Sequence, residues 1–435
     1  MKTLQVIITI FCTAVCLSGN AQTITTFAGD GTSSTVMPNG VPATSTAATL
    51  PSGGAFDAAG NYYSNFGGGY VRKVTPLGII TTVAGGGTVA GGGDGGPATA
   101  AGLHMQGLHV DSMGNIYIAD AYNFKVRKVD VATGIIHTIA GTGVSGSSGN
   151  GGPATAATIV AADVITDNNG NVYMTDNSAG TVRKIDAPTG VISDFSTING
   201  RMCFDAAYNY MYLGGATRLY RKSMSTGVID TIAGTGIAAY NGDGIPATAA
   251  NFRTMDVAVD VTGNIYLADD ANDRVRMIDA SGIIHTVAGT GTAGYNGDNI
   301  AATAAQIYNP EGLAFDKCGN LYIADDANHR IRKITFDTSC GHVEDTSNHH
   351  VGVVNINNSR AISVYPNPVW GVVSVDGLTE TAQYTLCDLT GRQVMNGTLL
   401  PGSNKLNMLQ LVQGIYTLQV LDAGGVREVW KVLKE

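Results

Sequence analysis

The chain has 435 residues and 58 glycines, about 13 % where roughly 7 % is usual, which excludes long helices as its main element. Only 14 % of residues are charged and 44 % are hydrophobic, so intrinsic disorder is excluded and solubility rests on Thr, Ser, Asn and Gly. A net charge of -9 offers no basic face to a phosphate backbone, and no nucleic-acid partner is expected.

The N-terminus begins Met1-Lys2 and continues into an apolar run over 4–17, with Gly19 and Ala21 three and one residues before a cleavage point. Residues 1–21 read as a secretory signal, because a run of about fourteen apolar residues is shorter than the roughly 20 that span a bilayer. Its removal takes Cys12 and Cys16 and leaves Cys203, Cys318, Cys340 and Cys387, no two of which have metal-ligand spacing.

Beyond the signal the chain repeats itself. A turn of the form Asp-x-x-Gly-Asn, or a near copy, precedes an apolar-aromatic segment six times, centred on Asn61, Asn115, Asn171, Asn209, Asn264 and Asn320. Each unit alternates with period two and is broken at its junctions by Asp, Gly and Asn, which predicts four short antiparallel strands per unit. Six such units predict a six-bladed β-propeller, because one small sheet cannot bury both faces alone. Residues 23–28 ("TITTFA") match the last strand of a unit but come before the first, while the sixth unit fades near Thr335. That predicts ring closure by the N-terminal segment.

The interval from Asn171 to Asn209 is a bare blade, and the other intervals are longer by a Gly-rich insertion such as "GDGGPATAA" (93–101). Blade four lacks the insertion, so the ring of loops has a gap beside Ile198-Asn199-Gly200-Arg201. The insertion has no Lys-Ser/Thr after its glycines and reads as a turn plus a short helical piece with proline at N1, not as a phosphate cradle. Its Asp94, Asp243 and Asp298 supply one carboxylate per loop, too few for calcium, which takes about 6–8 oxygens.

Four residues before the aspartate that follows each inner strand stand Gly53, Gly107, Asp163, Arg201, Asp256 and Gly312. Three consecutive blades depart from glycine, and Glu311 adds a fourth ionisable group. Asp163, Arg201, Asp256 and Glu311 are therefore the candidate binding residues at the mouth of the central channel. A salt-bridge set that plugs the channel is the structural alternative. No His-Glu-x-x-His, Gly-x-Ser-x-Gly or Cys/His constellation is present, and no catalytic residue or cofactor is assigned.

"TIAGTG" (138–143), "GDGGPATAA", "GNIYIAD" (114–120) and "NHRIRK" (328–333) resemble the NHL-repeat propellers over roughly 23–340. That resemblance implies the fold and leaves activity open, since adhesion modules, binding scaffolds and unrelated enzymes share it. In blade six Cys318 enters the second strand and Cys340 follows the third, which returns towards the same end, so a Cys318–Cys340 disulfide is expected.

Residues 341–360 are polar and without repeat, as a linker would be, and the propeller is assigned to 22–340. A second all-β pattern fills 361–435, with Tyr365-Pro366-Asn367-Pro368, "YTLCDLTGRQVMNG" (384–397) and "LVQGIYTLQVLD" (411–422). In that order these motifs resemble the type A sorting domain of type IX secretion, a small Ig-like β-sandwich whose partner is the secretion machinery. The expectation is a secreted or cell-surface, non-catalytic propeller that binds a glycan, peptide or protein. The alternative is a lactonase- or lyase-type enzyme, which alone would bring a divalent metal.

Overall fold

The structure is a computed structural model and describes residues 22–336, apart from 35 and 68, and most of 363–434; the signal, the linker, Cys340 and Pro366 to Pro368 lie outside the described residues. The chain divides into two compact units, Met1–Asp337 and Thr338–Glu435.

The first unit is a ring of six antiparallel sheets. Their inner strands are Ser52–Phe56, Gly107–Val110, Ala161–Thr166, Arg201–Phe204, Thr254–Val259 and Pro310–Phe315, each packed on the next and the sixth on the first. Hydrophobic faces meet between blades: Ile118 and Val110 pack with Tyr63 and Leu103, and Leu313 and Ile323 pack with Tyr266 and Val275. Closure is as the repeat predicts. Thr23–Ala28 pairs antiparallel with Arg330–Thr335 and supplies the missing strand of blade six, so no long edge is left there.

The turn into the second strand is built by its aspartate. In blade two Asp111 Oδ1 accepts the Asn115 N–H at 2.9 Å and Oδ2 accepts the Asn115 side-chain amide at 2.9 Å, while Gly114 takes φ 88°. Blade four places Tyr208 in the equivalent left-handed conformation, φ 57°, and its ring lies 5.0 Å from that of Phe204.

A buried arginine organises the outer half of five blades. Arg72, Arg127, Arg183, Arg276 and Arg332 stand at one position of the third strand and are almost inaccessible to solvent. Arg127 lies 3.4 Å from Asp120, which ends the second strand, and 2.8 Å from Asp94 of the Gly-rich insertion. Arg276 joins Asp269 to Asp243, and Arg332 joins Asp325 to Asp298, in the same way. The insertion aspartates thus hold the loop to its blade through a guanidinium.

The insertion differs in two respects from its reading in the sequence. It runs outward and adds a fifth strand to three blades, Val41–Pro42, Ile245–Pro246 and Ile300–Ala301. Pro42 and Pro246 end these edge strands, where a missing N–H costs no ladder bond. The prolines also precede the 3₁₀ turn as N-caps, Pro97 before Ala98–Ala100 for example, and do not occupy N1. Cys318 is disulfide-bonded; the residue expected to partner it, Cys340, is outside the described residues.

The second unit has two sheets. One orders Ser363–Tyr365, Val372–Leu378 and Gly402–Asn407; the other orders Gln393–Leu399, Ala382–Asp388, Gly414–Asp422 and Arg427–Lys434. Val373 and Leu406 of the first sheet share a core with Leu386, Leu418 and Val432 of the second, which makes a small sandwich.

Candidate functional site

Glycine at the head of an inner strand allows neighbouring blades to touch backbone to backbone. A Cβ on Gly312 would lie 2.3 Å from Gly53 Cα, so no other residue fits there. Where glycine is replaced, the side chain must point into the channel, and it does so in blades three, four and five.

Two cavities result. A channel of about 440 Å³ descends between the inner strands, and a mouth of about 980 Å³ opens on the face that carries the loops. Asp163, Arg201 and Glu311 line both, so they form the neck between them, whereas Asp256 lines the channel alone. The mouth is bounded on one side by 197–200, the short connection into blade four, as the missing insertion predicts.

The two aspartates work as clamps between blades. Asp163 Oδ2 accepts the Met202 N–H of blade four at 2.9 Å, and Asp256 Oδ2 accepts the Leu313 N–H of blade six at 2.8 Å. Asp256 Oδ1 also accepts the Val257 N–H at 2.9 Å. Burial raises both carboxyls above the usual range. Arg201 opposes the rise for Asp163, while Asp256, next to that second carboxylate, is pushed up to about 7. Asp256 retains some accessible surface because it lines the channel.

Arg201 crosses the neck. Its Nη1 donates to the Ala162 carbonyl at 3.2 Å, reaches the Gln106 carbonyl at 3.5 Å and stands 3.8 Å from Asp163 Oδ1. It makes no ion pair with Asp256, so of the two aspartates beside it in the ring it engages Asp163 alone. Its Nη2 and Nε have no hydrogen-bond partner among the described residues, and its side chain is 22 % exposed. Among the described residues Glu311 accepts only from the Asn309 side-chain amide, at 3.4 Å, and burial together with neighbouring Asp326 lifts its carboxyl.

Three mouth residues were not singled out in the sequence. His104 stacks on Tyr122 with centroids 4.1 Å apart, and Gln106 Nε2 donates to Tyr122 Oη at 3.3 Å. A signal existed for Tyr122: its counterparts in blades five and six are Ala271 and Ala327. Lower in the channel, burial pushes His109 down to about 4 and lifts the Cys203 thiol well above its ordinary range, next to Asp256 and Asp163. Both are poor nucleophiles or acids at neutral pH.

Residues 363–435 match the family model described as the secretion system C-terminal sorting domain. The chloroplastic protein Suppressor of quenching 1 of Arabidopsis thaliana is 26 % identical over 273 residues, 55 % of this chain and 26 % of that protein. NHL repeat-containing protein 2 of Gallus gallus is 25 % identical over 275 residues, 59 % of this chain and 34 % of that protein. The chain thus spans between a quarter and about a third of the length of these curated relatives. Among solved structures, an auxiliary nutrient binding protein from Bacteroides thetaiotaomicron aligns with a TM-score of 0.56 at 18 % identity, over 72 % of this chain and 76 % of that one, a likeness of fold. The chain therefore joins a six-bladed propeller, similar in sequence to NHL-repeat proteins, to a C-terminal sorting domain that directs it through type IX secretion to the cell surface or the medium.

Proposed function

We propose that the exported propeller is a non-catalytic binding protein that captures a polar ligand in the mouth beside blade four. The observation that carries this reading is Arg201, whose Nη2 and Nε are unspent at the neck of a cavity of about 980 Å³. A guanidinium with free donors forms charge-assisted bonds to an incoming acceptor. The stacked pair His104 and Tyr122 adds an apolar ledge with a hydroxyl at its tip. The sorting domain brings the chain to the secretion machinery and the propeller to the outside, where capture takes place. A glycan array and a small-metabolite panel, run on the full exported chain and on Arg201→Ala, test the reading; a ligand bound equally by both proteins would place binding elsewhere.

One observation favours the second reading, a lactonase- or lyase-type enzyme: a carboxyl held near 7 in the channel, Asp256, is matched to proton transfer at neutral pH. The divalent metal of such lactonases does not fit this neck. Among the described residues no three His, Cys, Asp or Glu side chains converge as a ligand set, and the Arg201 guanidinium sits beside Asp163 where a cation would lie. Metal content by mass spectrometry, with lactone hydrolysis as the assay, separates the readings.

A further inference from the structure

The acidic wall of the mouth has an internal control in the blade beside it. Blades five and six each open the 3₁₀ turn after the second strand with an aspartate, Asp270 in Asp270–Asn272 and Asp326 in Asp326–Asn328. Both are nine-tenths buried, at 6 % and 8 % exposure. In blade five the charge is answered within the blade: Arg253 Nε donates to Asp270 Oδ1 at 2.9 Å and Arg253 Nη2 donates to Oδ2.

In blade six the residue at the position of Arg253 is Tyr308. The equivalence is set by the backbone. Arg253 N–H donates to Asp269 Oδ1 at 2.9 Å, and Tyr308 N–H donates to Asp325 Oδ1 at 2.8 Å. The carbonyl of each then accepts an N–H from the following 3₁₀ turn. Asp326 therefore has no cation within ion-pair distance among the described residues, although its twin has one.

What it has is a second carboxylate. Asn309, held at φ 56°, is one residue more than blade five has here, and its amide donates to Asp326 Oδ2 at 3.1 Å and to Glu311 Oε1 at 3.4 Å. Both carboxyls line the mouth. Burial raises the pKa of both and Asp326 adds to the rise at Glu311, while His329 opposes it at Asp326 and Arg201 at Glu311, neither within ion-pair distance. Arg201 lines the same cavity and acts electrostatically on Glu311 without pairing to it.

We propose that the mouth binds a small zwitterion of the α-amino-acid type, with its ammonium group between Glu311 and Asp326 and its carboxylate on Arg201. This rests on the reading of the mouth as a polar-ligand site and names the ligand class. An ammonium group brings three donors and one charge, which suits two carboxylates. A calcium ion takes about 6–8 oxygens, more than two carboxylates and one amide provide. The exposed side chains of Leu50 and Tyr122 offer an apolar wall to the rest of the ligand.

The test is calorimetric titration of the full exported chain with the standard free L-amino acids, their N-acetyl derivatives, their amides, neutral monosaccharides, dicarboxylates and calcium chloride alone. At least one free amino acid binds, and acetylating its amine or amidating its carboxylate weakens binding about tenfold or more. Tyr308→Arg restores the guanidinium of blade five at a half-exposed position, so it weakens amino-acid binding by a similar factor and raises the melting temperature. Asp326→Asn also weakens binding and provides a second variant. Failure of every free amino acid, binding that survives N-acetylation, or affinity unchanged in both variants overturns the proposal. So does stabilisation by calcium alone that depends on Asp326. Saccharide or dicarboxylate binding that needs Arg201, without amino-acid binding, overturns the ligand class and leaves the mouth as a site; no binding by any probe overturns both.

Discussion

Blades two and four are the same sheet built with and without its loop. In blade two, Arg127 is sealed in the third strand between Asp120 and Asp94. In blade four the arginine position is Tyr220, the Asp120 position is Gly215, and the insertion that would carry Asp94 is missing. All three changes occur together, so the guanidinium is there to hold the loop. When the loop is lost, a buried charge has no task, and a tyrosine fills the space at less desolvation cost. The vacated loop position then becomes the opening of the mouth, and Tyr220 is part of its wall.

Either kind of blade is stable only in a closed ring, so the largest expected effect is loss of closure. Deleting Thr23–Ala28 strips Arg330–Thr335 of its outer partner and should abolish a single cooperative melt of the propeller; an unchanged melting temperature would refute closure. Next in size is the contrast between the two blades. Arg127→Leu leaves Asp120 buried without its counter-charge and should cost about 3–5 kcal/mol. Tyr220→Phe, at the same position of the loopless blade, should cost less than about 1.5 kcal/mol. Equal losses in chemical denaturation would mean that the loop and the arginine are unrelated.

Legibility in the sequence followed the range of the interaction. The repeat, its turns, the displaced closing strand and the gap at blade four are written in local spacing, and Asp111, for example, bonds Asn115 four residues on. The outward course of the insertion was not legible, because Val41–Pro42 pairs with Ile79 and Ile80, whose register is set by the folded blade. Of the departures from glycine, Asp163 and Arg201 stand at the neck and Asp256 lines the channel. Their partners are backbone groups of other blades, Met202 N–H, Ala162 O and Leu313 N–H, and no sequence pattern marks a backbone group as an acceptor or donor.

The channel carboxyls give the comparison a pH axis. Asp256 is protonated up to about 7 in the folded protein, whereas an aspartate in an unfolded chain ionises near about 3.9. Between those values the folded state holds the extra proton, so this group makes stability fall as pH rises from about 4 to 7. Asp269 and Asp325, pushed up to about 6 by burial, act in the same direction, while blade four has Gly215 there and adds nothing. Asp256→Asn should flatten the decline between pH 4 and 7 in thermal melts, and a profile identical to the parent would show that Asp256 ionises freely.

The smallest effect on stability should come from Arg201→Ala, and it carries the most information about function. Arg127 and Arg201 are both arginines beside an aspartate, yet Arg127 is sealed and Arg201 keeps 22 % of its side chain open to the mouth. Its ion pair with Asp163 spans 3.8 Å, and Asp163 also holds the Met202 N–H, so that carboxylate stays partnered after the arginine is removed. The pair is long and Arg201 is partly open to water, so the loss of stability should be smaller than for Arg127→Leu, whose guanidinium is sealed against Asp120. Ligand capture should fail at the same time, because the unspent Nη2 and Nε leave with the side chain. A loss of several kcal/mol with affinity intact would instead make Arg201 the plug of the channel, a shorter-reaching version of Arg127, and would move the site away from blade four.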